Sequence, residues 1–181
     1  MSEPRVPLES EVADDIGFLN EHLRPGVDWS IAAEYPHVFN PSNRLNIRII
    51  EEGQQVLAHA AVKYLLIKNT FGIFKVAAIG SVVTSPEHRN QGLSQKILES
   101  CLSAAEKEGA DIAILWTDLY DFYRKLGFEL AGQEISFIID VTPPNVDAGL
   151  RYMCSEKISP DAILRLYSQH TCGTLRTAED I

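Results

Sequence analysis

Within six residues, Arg89-Asn90-Gln91-Gly92-Leu93-Ser94 gathers a guanidinium, two amides, a glycine and a hydroxyl. The run follows Pro86 and leads into an apolar-periodic segment. A loop that opens a helix leaves backbone N–H groups unpaired, and the helix dipole adds partial positive charge to them. A phosphate or pyrophosphate is the natural ligand of such a place. Gly92 allows close backbone approach, Arg89 adds a bidentate donor, and Ser94 is small and can donate one more bond. The two familiar phosphate loops, G-x-G-x-x-G and G-x-x-x-x-G-K-[ST], do not occur. Taken alone, the loop also fits an ordinary glycine at a helix start.

The elements around the loop decide what it is for. "SEVADDIGFLNEHL" carries Val12, Ile16, Leu19 and Leu23 on one face, with acids in its first turn and Ser10 as its expected cap. "RPGVDWSIAAEYPHVFNPSN" is broken by Pro and Gly, rich in aromatics, and predicts a short helix at 31–35. "RLNIRIIEE", "QQVLAHAAVKYLLI" and "IFKVAAIGSVVT" are three strand-like runs on short turns, which predicts an antiparallel meander. A helix follows over 92–107, with Gly109 at its end. "DIAILW" reads as a short strand suited to a buried central position, and "LYDFYRKLG" as a short helix ended by Gly127. "FEL" and "QEISFIIDV" return to strand, "TPPN" is a loop, and Ser159 and Pro160 open one more helix. Strand, helix and strand in succession imply a right-handed crossover and a parallel pair. The fold class is α/β, with a mixed, largely antiparallel sheet flanked by helices.

Composition narrows the partners. The 181 residues suffice for one ordinary domain, with 45% hydrophobic and 23% charged residues. A net charge of −9 disfavours nucleic-acid binding by phosphate neutralisation and weakly suits cationic amines. Cys101, Cys154 and Cys172 show no metal-ligand spacing and read as reduced thiols of a cytoplasmic protein; no metal is expected. The N-terminus does not read as a signal peptide, and no apolar run is long enough to span a bilayer.

"GSVVTSPEHRNQGLSQKILES" resembles the acetyl-CoA signature of the GNAT superfamily of N-acetyltransferases, in which a strand leads through a Pro and a [QR]-x-x-G-x-[GA] loop into a long helix. Ser94 stands where that pattern has Gly or Ala. "DFYRKLGFE" resembles the family's late Tyr-bearing helix with its following G-F, in the right order and at about the right distance. The resemblance covers roughly residues 10–140. It implies acetyl-CoA as co-substrate and a GNAT-like fold. Val82, Val83 and Thr84 would pair with the pantetheine arm like an added strand, one N–H polarising the thioester carbonyl. Arg89, Asn90, Gln91, Gly92, Leu93 and Ser94 would hold the pyrophosphate. Tyr123 would protonate the departing thiolate, with Tyr120 its local rival.

The resemblance further implies direct attack by an amine, which needs a base. Many family members carry a Glu on the strand before the loop, but "FKVAAIGSVVT" has none. Glu34, His37 and His59 are the candidates, although His59 in "LAHAAV" reads more readily as a core histidine, and His88 as a surface or anion-contacting residue. In this fold the segment before the first strand borders the acceptor. Here Trp29, Glu34 and Tyr35, with Asp28 and Phe39, would suit a cationic small-molecule amine through charge pairing and cation–π contact, or would pin a long loop to the core. The tail "ILRLYSQH…GTLRTAED" is similar to the segment after the first domain of the enhanced-intracellular-survival type, many of which acetylate aminoglycosides or other polyamines. The domain reading is 1–142 for the acetyltransferase unit and 143–181 for a C-terminal extension. Two other functions stay open: an acyl-CoA-binding module without turnover, and peptide or protein N-acetylation. Homo-oligomerisation is also left open.

Overall fold

The computed structural model describes residues 3–132, 135, 138 and 158–180. The expected strand over 133–141 lies, but for residues 135 and 138, outside the described residues, as do the loop at 142–145 and Cys154. Three strands form the meander: β1 (Ile47–Glu52), β2 (Gln55–Asn69) and β3 (Gly72–Thr84), paired antiparallel in that order. Glu52 pairs with Gln55, leaving a two-residue turn at Gly53 and Gln54, both with positive φ. That left-handed pair matches the twist of the flanking strands. A fourth strand, β4 (Ile112–Ile114), runs parallel to β3, while the second strand of the crossover expected after it falls largely outside the described residues.

Helix α1 (Val12–Leu23) and the short α2 (Ile31–Glu34) precede the sheet. Ser10 is not the cap of α1. It lies within a 3₁₀ turn, Glu9–Glu11, and the Glu11 carboxylate accepts the Leu8 N–H at 2.7 Å. The Glu11 side chain thus closes the turn that leads into α1. Ahead of it, Arg5 exchanges backbone hydrogen bonds with Ile49 and forms ion pairs with Glu11 (2.8 Å) and Glu51 (2.6 Å), covering the outer edge of β1.

Helix α3 (Leu93–Lys107) crosses one face of the sheet. It ends as Gly109 suggested. Gly109 adopts φ 71°, its N–H donates to the Glu106 carbonyl and that of Ala110 to the Ala105 carbonyl, which is a Schellman closure. Leu93, Ile97, Leu98, Cys101 and Ala105 of α3 pack on Ile50, Ala58, Ala60, Val62, Ala77 and Ile79. The alanines of β2 let the helix lie close to the strands. On the opposite face, Leu19 and Ile31 pack with Val83, and Phe18 and Phe39 cover Ile47, Ile49, Val56 and Ala61.

β4 is the outermost strand of the sheet among the described residues, and Ile112 is 51% exposed. Its ladder there is with β3, and the strand expected to follow it lies mostly outside the described residues. Phe128–Leu130 has no ladder partner among the described residues and is not a strand there. Helix α4 (Tyr120–Arg124) turns at Gly127, φ 87°. Helix α5 (Pro160–Tyr167) leads to β5 (Gly173–Thr174), which pairs with Ile67 and Lys68 of β2, and Tyr167 Oη lies 2.6 Å from Thr174 Oγ1.

Leu98 is fully buried between α3 and the sheet. Leu98→Ala should cost about 2–5 kcal/mol, seen in urea unfolding as a lower midpoint with an unchanged slope.

Candidate active site

The site begins where two strands part. β3 and β4 pair only at Val76–Ala78 and Ile112–Ile114. Beyond Ala78, β3 continues for six residues with no β4 partner, while its other edge stays on β2. A register shift interrupts that second ladder: Ala61 pairs with Gly80 but His59 pairs with Val83, so β3 carries an extra residue there. Ser81 sits in the shift with φ 51°, left-handed for a residue with a side chain. The bulge turns the end of β3 and leaves an open backbone edge along Val82, Val83 and Thr84. Their side chains serve packing. Val83 joins Leu19 and Ile31 on one face, and Val82 lies against the α3 cluster on the other.

The next loop has the expected form. Ser85 donates its N–H to the Leu57 carbonyl at 2.8 Å, and a 3₁₀ turn at Pro86–His88 ends the strand. Arg89, Asn90, Gln91 and Gly92 are exposed. Asn90 (φ 62°) and Gly92 (φ 77°) are both left-handed. A Cβ on Gly92 would meet nothing within 4 Å, so conformation and not space calls for glycine. Gly92 is the N-cap of α3 and brings no side-chain cap, which leaves the first N–H groups of a 15-residue helix for another acceptor. Leu93 is buried in the core, so only its backbone faces the loop. Ser94 Oγ lies 2.7 Å from Thr84 Oγ1 and ties the end of β3 to the first turn of α3; where Thr84 is the donor, the Ser94 O–H stays available to a ligand. An alanine there could not make that tie. His88 contacts the Ser85 hydroxyl through Nδ1 at 3.2 Å.

Tyr123 lies in the same core cluster as Ile79, Val82 and Leu93 and is 8% exposed. Phe122 and Phe128 contact it edge-on. Burial raises its phenol pKa, so the hydroxyl holds its proton at neutral pH. Tyr120 is half exposed. A cleft of about 1020 Å³ runs beside β4 and α4, lined among others by Ile114, Trp116, Tyr120, Tyr123 and Arg124.

The aromatic segment borders this strand end through Ile31, which packs with Val83. Trp29 and Tyr35 are exposed. Glu34, however, is held bidentate by Arg24, at 2.6 Å from Nε and 2.8 Å from Nη2. That pairing holds its carboxyl below the usual range and neutralises its charge locally, which makes Glu34 a poor base and a weak cation site. His37 is exposed on the stretch after α2.

The chain matches the family described as "Acetyltransferase (GNAT) domain" over residues 30–131, more than half of its length. It belongs to that family and is an acetyltransferase. No curated protein matches it. Solved structures with the same fold include an acetyltransferase of Trypanosoma brucei, 21% identical with a TM-score of 0.59 over 77% of this chain and 100% of that one. Glucosamine-6-phosphate N-acetyltransferase of Arabidopsis thaliana is 20% identical with a TM-score of 0.60, over 77% and 99%. A predicted acetyltransferase with acetyl-CoA from Clostridium acetobutylicum is 21% identical with a TM-score of 0.61, over 76% and 96%. Among the described residues, no helix is long and apolar enough to cross a membrane.

Asp15 is a residue that sequence reasoning missed. It falls on the apolar stripe of α1, four residues before Leu19, and a carboxylate there was the available signal. The structure buries it fully against His59: Oδ2 is 3.4 Å from Nε2, with side chains 1% and 0% exposed. His59 Nδ1 lies 2.9 Å from the Ser81 carbonyl, which can only accept, so the ring proton sits on Nδ1. Nε2 is then bare, and Asp15 Oδ1 and His59 Nε2 have no hydrogen-bond partner among the described residues. The contact is longer than the roughly 2.7–2.9 Å of a charge-assisted bond, and two buried charges without further bonds would not recover their desolvation. The pair is therefore not an ion pair. Burial pushes Asp15 up to about 7 and His59 down to about 4. A sealed imidazole of this kind has no route to an attacking amine, so it is not a general base.

The pair has an unusual linkage. From about 4 to the ordinary histidine value of 6.5, the folded pair holds one titratable proton, on Asp15. The unfolded pair also holds one there, on the histidine, so wild-type stability gains no slope from it. Each single variant should expose the other partner. In Asp15→Asn, the depressed histidine gives stability that is present above 6.5 and lost as pH falls towards 4. In His59→Gln, the raised carboxyl gives stability that is present below its ordinary 3.8 and lost as pH rises towards 7. Urea unfolding at about pH 4.5 and 6.5 should give slopes of opposite sign relative to wild type.

Proposed function

We propose that the protein transfers the acetyl group of acetyl-CoA to a primary amine of a small molecule by direct attack. The observation that carries this reading is the conjunction at one strand end: an open β3 edge, an uncapped α3 N-terminus behind Arg89–Ser94, and the buried phenol of Tyr123 in the same cluster. An extended pantetheine arm would hydrogen-bond along Val82–Thr84 in the manner of an added strand, and a backbone N–H there would polarise the thioester carbonyl. The first N–H groups of α3 with Arg89 would take the pyrophosphate. The amine nitrogen attacks the carbonyl carbon, the C–S bond breaks, and the phenol proton passes to the departing sulfur. The amine attacks as the free base, its ammonium proton having gone to solvent; the nitrogen loses a second proton to solvent as the amide forms, and a solvent proton restores the phenol. Trp29 and Tyr35 offer aromatic faces to a cationic acceptor, and Asp28, exposed beside them, supplies the negative charge that Arg24 takes away from Glu34.

A second reading, acyl-CoA binding without turnover, is favoured by the state of the base candidates. Glu34 is paired, His59 is sealed, and β3 carries no acid. Thiol release from acetyl-CoA over a panel of amines, aminoglycosides, polyamines and peptides separates the two.

Acetyl-CoA at about 100 times its Kd should stabilise the fold by about 2.7 kcal/mol, read as a rise in Tm, and Gly92→Val should abolish the rise. An unchanged wild-type Tm at saturating acetyl-CoA would sink the reading. With an accepted amine, Tyr123→Phe should lower kcat by about 10²–10⁴-fold with little change in acetyl-CoA affinity. Equal turnover would remove Tyr123 as the acid.

A further inference from the structure

Three observations meet at the bulge of β3. Ser81 holds a left-handed backbone, φ 51°, that a residue with a side chain adopts only when its surroundings enforce it. The enforcing contact is the His59 Nδ1–H bond to the Ser81 carbonyl at 2.9 Å, made across the shift between the Ala61–Gly80 and His59–Val83 pairs. Asp15 stands 3.4 Å from Nε2, the Phe39 ring lies beside the imidazole with centroids 6.1 Å apart, and the His59 side chain is fully buried, which leaves it little room to turn away from Ser81. A fully buried polar pair is an expensive way to fill a core, and at this place an apolar side chain would pack as well but would leave the bulge carbonyl without its donor.

We propose that His59 is a positioning residue: braced by Asp15 of α1, it pins the Ser81 carbonyl and so fixes the aim of the Val82–Thr84 edge on which acyl-CoA is held. The role rests on the acetyl-CoA reading of the site. His59 touches neither the co-substrate nor the acceptor. It acts through one backbone carbonyl, one residue before the open edge begins.

Two variants separate positioning from plain core filling. The amide nitrogen of asparagine can stand where Nδ1 stands, whereas that of glutamine stands nearer Nε2. His59→Asn therefore keeps a donor for Ser81 and loses the contact with Asp15, and His59→Gln does the reverse. Both lose the ring and should lose stability alike. Calorimetric titration with acetyl-CoA, well below both melting temperatures, should show His59→Gln binding about tenfold more weakly than wild type, the worth of one hydrogen bond, and His59→Asn restoring affinity to within about threefold. Equal affinities for the two folded variants would overturn the positioning role while leaving the acetyl-CoA reading intact. If wild type itself fails to bind acetyl-CoA, the acetyl-CoA reading falls and the positioning role falls with it. Should either variant fail to fold, wild type labelled with ¹⁵N-histidine gives a second test. The His59 Nδ1 resonance should shift on saturation with acetyl-CoA, and an unmoved resonance overturns the proposal.

Discussion

The site depends on one strand serving two neighbours unequally. β3 stays with β2 from Gly72 to Thr84 but with β4 for only three residues. A flat, fully paired sheet would offer no backbone to a ligand. Ending the β4 ladder at Ala78 frees an edge, and the extra residue at the bulge rotates that edge away from the sheet it came from. α3 then lies across one face of the sheet, its N-terminus at the freed end, fixed there by Leu93 and Ile97 below and by the Thr84–Ser94 hydroxyl contact above. The strand edge and the helix N-terminus are thus set by packing contacts, with the exposed run Arg89–Gly92 held between them.

Much of this was legible in the residues. Apolar strand-like runs between turn residues located the meander, whose middle strand is buried on both faces, and the three- and four-residue apolar spacing located α3. The loop and the Tyr helix were legible because their functional residues are consecutive. Cap choice was less so. Ser10 looked suitable, but Glu11 is drawn to Arg5, which also reaches Glu51 of β1 only in three dimensions.

The pairings that decide charge were the least legible. Glu34 read as a free acid because Arg24, ten residues away, reaches it only after α1 and α2 pack together. Asp15 and His59 are 44 positions apart and meet across the α1 face of the sheet. Neither partner stands out until the other is seen. Ser94, which looked like a departure from a small-residue pattern, makes sense once Thr84 is beside it. In each case the sequence supplies the group and the tertiary fold supplies its proton state or its partner.

The open edge of β3 carries a liability as well as a use. Unpaired strand edges attract other strands, including those of neighbouring chains. Here the exposed run is short and is stopped at once by Pro86, which has no N–H to offer and turns the chain into a 3₁₀ turn. The bulge twists what remains, so a stray β-strand would find only a few residues in register before the geometry failed. The same proline and bulge that shape the slot therefore act as gatekeepers, keeping an empty slot from recruiting its own kind.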